Sequence, residues 1–102
     1  MLGGIGVYLL VTYDVATSDK GGEGRLRRVS KACVRYGQRV QNSVFECMVD
    51  PAQYLQLKEE LLGIIRESSD SLRLYNLGSG WRNRVEHFGV KKPYDPEAPL
   101  IL

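Results

Sequence analysis

Few side chains in this sequence could do chemistry, and Asp14 raises the sharpest question. It closes the run Val7-Tyr8-Leu9-Leu10-Val11-Thr12-Tyr13, whose aliphatic, β-branched and aromatic residues predict a buried strand. An apolar core rejects a carboxylate unless something pairs with it. One reading makes Asp14 a helix or turn cap in the following loop. The other needs a second copy of the chain. A two-fold axis near the strand's end would bring two Asp14 carboxylates together, and a hard divalent cation such as Mg²⁺ would relieve their repulsion. Such a cation keeps positions open for phosphate oxygens, so one acid per chain suffices.

Other chemistries find little support. Cys33 and Cys47 are the only cysteines, fit no CxxC spacing, and read as buried free thiols. His87 is the single histidine, lies in the alternating stretch VEHF, and reads as structural because nothing in the spacing pairs it with a cysteine. Gly21-Gly22-Glu23-Gly24 lacks the GxxxxGK[ST] pattern of a phosphate-cradling loop. No acids have EF-hand or paired-carboxylate spacing.

The charge is small in total and uneven in place. Fourteen Lys and Arg against twelve Asp and Glu give a net +2. Residues 24–39 nevertheless carry Arg25, Arg27, Arg28, Lys31, Arg35 and Arg39 with no acid, whereas residues 50–70 hold five acids against Lys58 and Arg66. A merely solvated helix face usually mixes signs to gain i,i+4 pairs. This segment therefore points to an anionic partner.

The elements that must position these residues follow from periodicity. A first strand spans Ile5 to Asp14, and ATSDKGGEG is loop. From Arg25, Leu26, Val29, Cys33 and Tyr36 share one helix face opposite the basic residues, with Gly37 as the stop. QRVQNSVFECMV gives one or two strands, broken near residues 41–43. Asp50-Pro51 then starts a second helix, with Asp as N-cap and Pro at the first position. Tyr54, Leu57, Leu61, Ile64 and Ile65 form its buried stripe, and Ser68-Ser69-Asp70 ends it. SLRLYNL is a fourth strand, and Val85 to Phe88 a short fifth. The fold class is α+β: a ferredoxin-like β-α-β-β-α-β plan with an extra short C-terminal strand. Helices cover one face of its antiparallel sheet, and a second copy, through a two-fold axis, covers the other. Residues 1–90 form one domain and 91–102 an extended, proline-rich tail. Leu100, Ile101 and Leu102 in that tail are expected to dock on the sister subunit or on a partner by strand addition. The start MLGGIG lacks a signal peptide's basic opening, and no run of apolar residues is long enough to cross a membrane, so the expected location is the cytoplasm.

VYLLVTYDV, the arginine-rich RLRRVSKAC and RVQNSVFEC, in a chain near 100 residues, together resemble CRISPR-associated protein two, the small dimeric adaptation protein of prokaryotic CRISPR systems. The resemblance covers about residues 7 to 90, and the stretch GWRNRVEHFGVKKPYDPE is similar to one of its subtypes. It implies a ferredoxin-like homodimer with Asp14 as the Mg²⁺ ligand at the dimer axis and Tyr13 beside it. Arg39, Phe45 and Ser43 match the family's third block, while Arg25, Arg27 and Arg28 carry over only as a cluster. Ser43 and Tyr13 then become candidate orienting groups in catalysis, Phe45 an orienting or structural one, and Lys31 a further phosphate contact.

The implied function has two parts. One is the central scaffold of a spacer-integrating complex, holding duplex DNA beside a CRISPR integrase subunit. The other is a Mg²⁺-dependent endonuclease, in which the metal polarises a phosphate and activates water while arginines hold the backbone. A single ligand per chain is thin for an efficient nuclease, whereas the scaffold needs only the basic helix and the dimer. A third reading is a toxin-type endoribonuclease acting on single-stranded RNA. RNA readers stack bases on exposed aromatics. Tyr8, Phe45 and their neighbours sit in apolar runs expected to be buried, which favours duplex DNA.

Overall fold

The computed structural model describes residues 6–15, 21–77 and 84–90. Seven elements follow one another: β1 (Val7–Asp14), α1 (Gly22–Val34), β2 (Gly37–Gln41), β3 (Val44–Val49), α2 (Pro51–Ile64), β4 (Ser71–Asn76) and β5 (Arg84–Gly89). The five strands form one sheet in the order β2-β3-β1-β4-β5, and every neighbouring pair is antiparallel. This is the expected ferredoxin-like plan with a strand added beside β4. Residues 1–5, 16–20, 78–83 and 91–102, and with them the docking role expected for the C-terminal tail, lie outside the described residues.

Period-two alternation decides which side chains meet the helices. Leu9, Val11 and Tyr13 of β1, Phe45, Cys47 and Val49 of β3, and Leu72 and Leu74 of β4 turn to one face. Val29, Ala32 and Cys33 of α1, Leu57 and Leu61 of α2, and Ile65 just beyond α2 close over them, and this is the main core. Among the described residues no helix lies on the other face. There Leu10, Val44 and Tyr75 form a second, smaller cluster. Around it, Tyr8 (39% exposed), Met48 (54%) and Val85 (48%) stay open to solvent.

Several boundaries differ from the periodicity. α1 begins at Gly22, a turn before Arg25, with Gly21 in the left-handed region at φ 95° as its N-cap. Gly37 does not stop α1, which ends at Val34, but opens β2. Its reason is close approach: a Cβ there would lie 1.8 Å from the Glu46 carbonyl oxygen on the neighbouring strand. α2 starts as expected. Asp50 Oδ1 accepts from the Gln53 backbone N–H at 2.7 Å, and Gln53 Oε1 accepts from the Asp50 N–H at 3.0 Å, closing a capping box before Pro51. It ends at Ile64, before the serines, with Ile65 turning to extended backbone (φ -71°, ψ 159°) as its C-cap.

β5 is held from above by α2. Glu86 accepts from the Tyr54 hydroxyl and from Lys58 Nζ at 2.9 Å, while Lys58 lies 5.4 Å from the Phe88 ring centroid. The two cysteines, 14 apart in sequence, meet in the core, where the Cys47 thiol donates to the Cys33 carbonyl at 3.5 Å. Both are free thiols. Contact with Cys47 and then burial push the Cys33 thiol far above its ordinary range.

Candidate functional site

Asp14 is the last residue of β1 and is exposed, on the bare face of the sheet with Leu10 and Thr12. Its cross-strand partner is Ser71, the first residue of β4. The tight turn between β2 and β3 approaches from the other side, where the Tyr13 N–H donates to the Ser43 carbonyl at 3.0 Å. Tyr13, Asp14, Ser43 and Ser71 therefore share one end of the sheet.

Tyr13 itself points the other way. It is 1% exposed, and its hydroxyl donates to Asp70. Asp70 is fully buried and also accepts from Arg25, Nε to Oδ2 at 2.8 Å and Nη2 to Oδ1 at 3.1 Å, and from the Arg66 backbone N–H at 2.9 Å. Burial alone would raise its carboxyl. The bonds from Arg25, Tyr13 and Arg66, with the Arg25 charge, outweigh that and hold it at about 2. Burial, and next the bond to Asp70, raise the Tyr13 phenol well above its ordinary value, so it stays protonated.

Arg25 is thus a correction. It was grouped with the surface arginines, yet its side chain is only 6% exposed and its guanidinium is committed to Asp70. Helical phase explains this: Arg25 precedes Val29 by four residues and shares the sheet-facing side of α1. The tyrosine beside Asp14 likewise serves the core, and its hydroxyl does not reach the bare face. Asp70 was read only as a helix end. The one sequence signal for it was an acid directly before the apolar alternation of β4.

Arg27, Arg28 and Lys31 are exposed on the outer side of α1. Arg35, further along, pairs with Glu60 of α2. Arg39, exposed on edge strand β2, folds back on the turn. Its Nε donates to the Asn42 carbonyl at 2.8 Å, and its guanidinium lies 5.7 Å from the centroid of Phe45, its cross-strand partner. Phe45 is fully buried and fixes that arginine rather than facing solvent. Tyr8 departs from its expected burial and is open on the bare face. Its hydroxyl is raised by a hydrogen bond with Glu46, by partial desolvation and by that residue's charge.

The site therefore has two layers. The cationic stripe lies on the helix side, Asp14 on the bare side, with the sheet between them. Among the described residues no three His, Cys, Asp or Glu side chains converge as a metal cluster. Asp14 of a single chain could offer a cation one carboxylate and no more. A second chain meeting it at that face would double the count, which fits the sparse protein ligation typical of Mg²⁺. Among the described residues no helix is long and apolar enough to cross a membrane.

Comparison with known proteins identifies the family. The family model for CRISPR associated protein Cas2 matches residues 7–85. A Nitratidesulfovibrio vulgaris protein named CRISPR-associated endoribonuclease Cas2 is 57% identical over 102 residues, the full length of both chains. One from Halalkalibacterium halodurans, named CRISPR-associated endonuclease Cas2, is 58% identical over 94 residues, 92% of this chain and 98% of its own. Among solved structures, Streptococcus pyogenes Cas2 at pH 6.5 superposes with a TM-score of 0.67 at 57% identity, covering 72% of this chain and 89% of that one. The chain belongs to the CRISPR-associated protein Cas2 family.

Proposed function

We propose that the chain is a nuclease of CRISPR adaptation that works as a two-fold dimer, with the bare faces of two sheets packed together and the two Asp14 carboxylates facing each other. The observation that carries this reading is the composition of that face. Leu10, Val44 and Tyr75 form an apolar centre ringed by exposed Tyr8, Met48 and Val85, and Asp14 lies at the polar end. The two Asp14 side chains would hold one Mg²⁺. When bound, that ion would supply Lewis-acid polarisation of the scissile phosphate and a more acidic water. Arg27, Arg28 and Lys31 on the helix layer grip phosphates, and Arg39 extends that grip beside the turn of Ser43. Tyr13 and Phe45 act by fixing β1 and Arg39 in place. The same cationic layer suits the scaffold role, in which the dimer holds duplex DNA beside an integrase subunit.

A second reading, cleavage of single-stranded RNA, is favoured by the names of relatives. One experiment addresses both. Purified wild type and Asp14→Asn are incubated with duplex DNA and with single-stranded RNA, in Mg²⁺ and in chelator. Asp14→Asn should abolish cleavage of whichever substrate is cut, with dimerisation and binding retained. Wild-type activity in that variant would sink the Asp14 mechanism.

A further inference from the structure

We propose that His87 and Arg73 are catalytic residues of the Asp14 site, His87 protonating the leaving oxygen of the scissile ester and Arg73 holding a non-bridging phosphate oxygen. This inference rests on the nuclease reading above and extends it to His87, which the sequence pattern left as structural, and to Arg73.

Strand register places them. Thr12 of β1 stands opposite Arg73 of β4, and Arg73 opposite His87 of β5, so the three form one row. Asp14 and Ser71 are two residues away from Thr12 and Arg73 respectively, hence on the same face in the adjoining row. That is the bare face, because the alternate residues Tyr13, Leu72 and Leu74 belong to the core beneath the helices. The Ser71 hydroxyl lies 3.0 Å from His87 Nε2, which ties the imidazole toward Asp14's own cross-strand partner. Directly paired side chains start about 5 Å apart. The Ser71 side chain therefore stands between the imidazole and the strand end that carries Asp14.

The chemistry of the layers makes the case stronger. Arg27, Arg28 and Lys31 face outward from the helix layer, and Arg25 is consumed by Asp70. None of these belongs to the sheet face that carries Asp14. Arg73 and His87 do, and both are partly accessible. A guanidinium suits the charge of a phosphodiester, and an imidazole suits proton transfer to an alkoxide. In the step, the oxygen of water bonds to phosphorus as the P–O ester bond breaks. The electron pair of that bond leaves with the sugar oxygen, which takes the imidazole proton. The proton shed by water passes to solvent, from which the imidazole is recharged.

The test compares two forms of one oligonucleotide that the wild type cuts: the ordinary ester, and the same ester with sulfur in place of the leaving oxygen. A thiolate departs without a proton. His87→Gln should lose about 100-fold or more in kcat on the oxygen ester and stay within about threefold of wild type on the sulfur ester. Ser71→Ala, which removes the tether but keeps the imidazole, should show the same pattern more weakly. Arg73→Ala should depress kcat/KM on both esters alike. Equal losses on the two esters in His87→Gln, or no loss on either, would overturn the proposal for His87, as full activity in Arg73→Ala would for Arg73. Asp14→Asn measured alongside separates the two levels. If it keeps activity, the underlying reading fails; if it is inactive while His87→Gln is not, only this inference fails.

Discussion

Replacing Asp70 by Asn should destabilise the fold in a way that acid partly erases. The carboxyl falls from an ordinary 3.8 to about 2 in the folded chain. At about 1.4 kcal/mol per tenfold, that drop corresponds to about 2 kcal/mol of stability dependent on the charge. Because the folded value is depressed, this contribution is complete above pH 3.8 and disappears as pH falls through about 2. Asparagine also presents an amide N–H₂ to donors that were aimed at carboxylate oxygens, and it leaves the Arg25 charge buried. The full cost near neutral pH should therefore approach the roughly 3–5 kcal/mol typical of a broken buried pair. For a domain of this size each kcal/mol moves the thermal midpoint by about 4–8 °C. Urea melts of wild type and Asp70→Asn, at one fixed protein concentration, should show a large gap at pH 7 that narrows by about 2 kcal/mol between pH 4 and pH 2. The pair Arg25→Met with Asp70→Leu should recover much of the loss, since apolar replacements of both partners remove the uncompensated charge. A gap that is absent at pH 7, or that does not change with acid, would refute the reasoning.

Arg27→Ala with Arg28→Ala should weaken binding about equally for all nucleic-acid sequences and reduce the slope of log affinity against log salt by roughly two, one per lost phosphate contact; titrations at several salt concentrations check this, and a sequence-selective loss would count against it. Gly37→Ala should push β2 away from β3, because the added carbon would overlap the Glu46 carbonyl. Hydrogen exchange should then accelerate in residues 37–41 while β1 and β4 keep their protection.

Much of the architecture was legible because each element carried its own periodic or terminal signal. The Asp50-Pro51 start of α2 rests on local capping chemistry, and the structure reproduces it. The apolar run of β1 placed Asp14 at a strand end without any knowledge of what lies beside it. What escaped were long-range pairings. Arg25 and Asp70 are 45 residues apart, and nothing in either neighbourhood announces that a guanidinium will be buried on a carboxylate. His87 was set aside as structural since its relation to Asp14 passes through two strand registers that the sequence does not state. Gly37 was misread for a related reason: a helix stop and a close strand contact leave the same one-letter trace.

The division of the molecule by its sheet also bears on descent. Asp14 and the α1 cations are on different sides of a single peptide layer, and no side chain described belongs to both groups. Under the proposed function, a lineage that replaced the carboxylate would lose its cutting chemistry and inherit the phosphate-gripping helix whole. A lineage that eroded the helix charge would keep an intact acid with little to hold a substrate near it. Cutter and clasp can therefore be gained and lost as separate traits within one small fold.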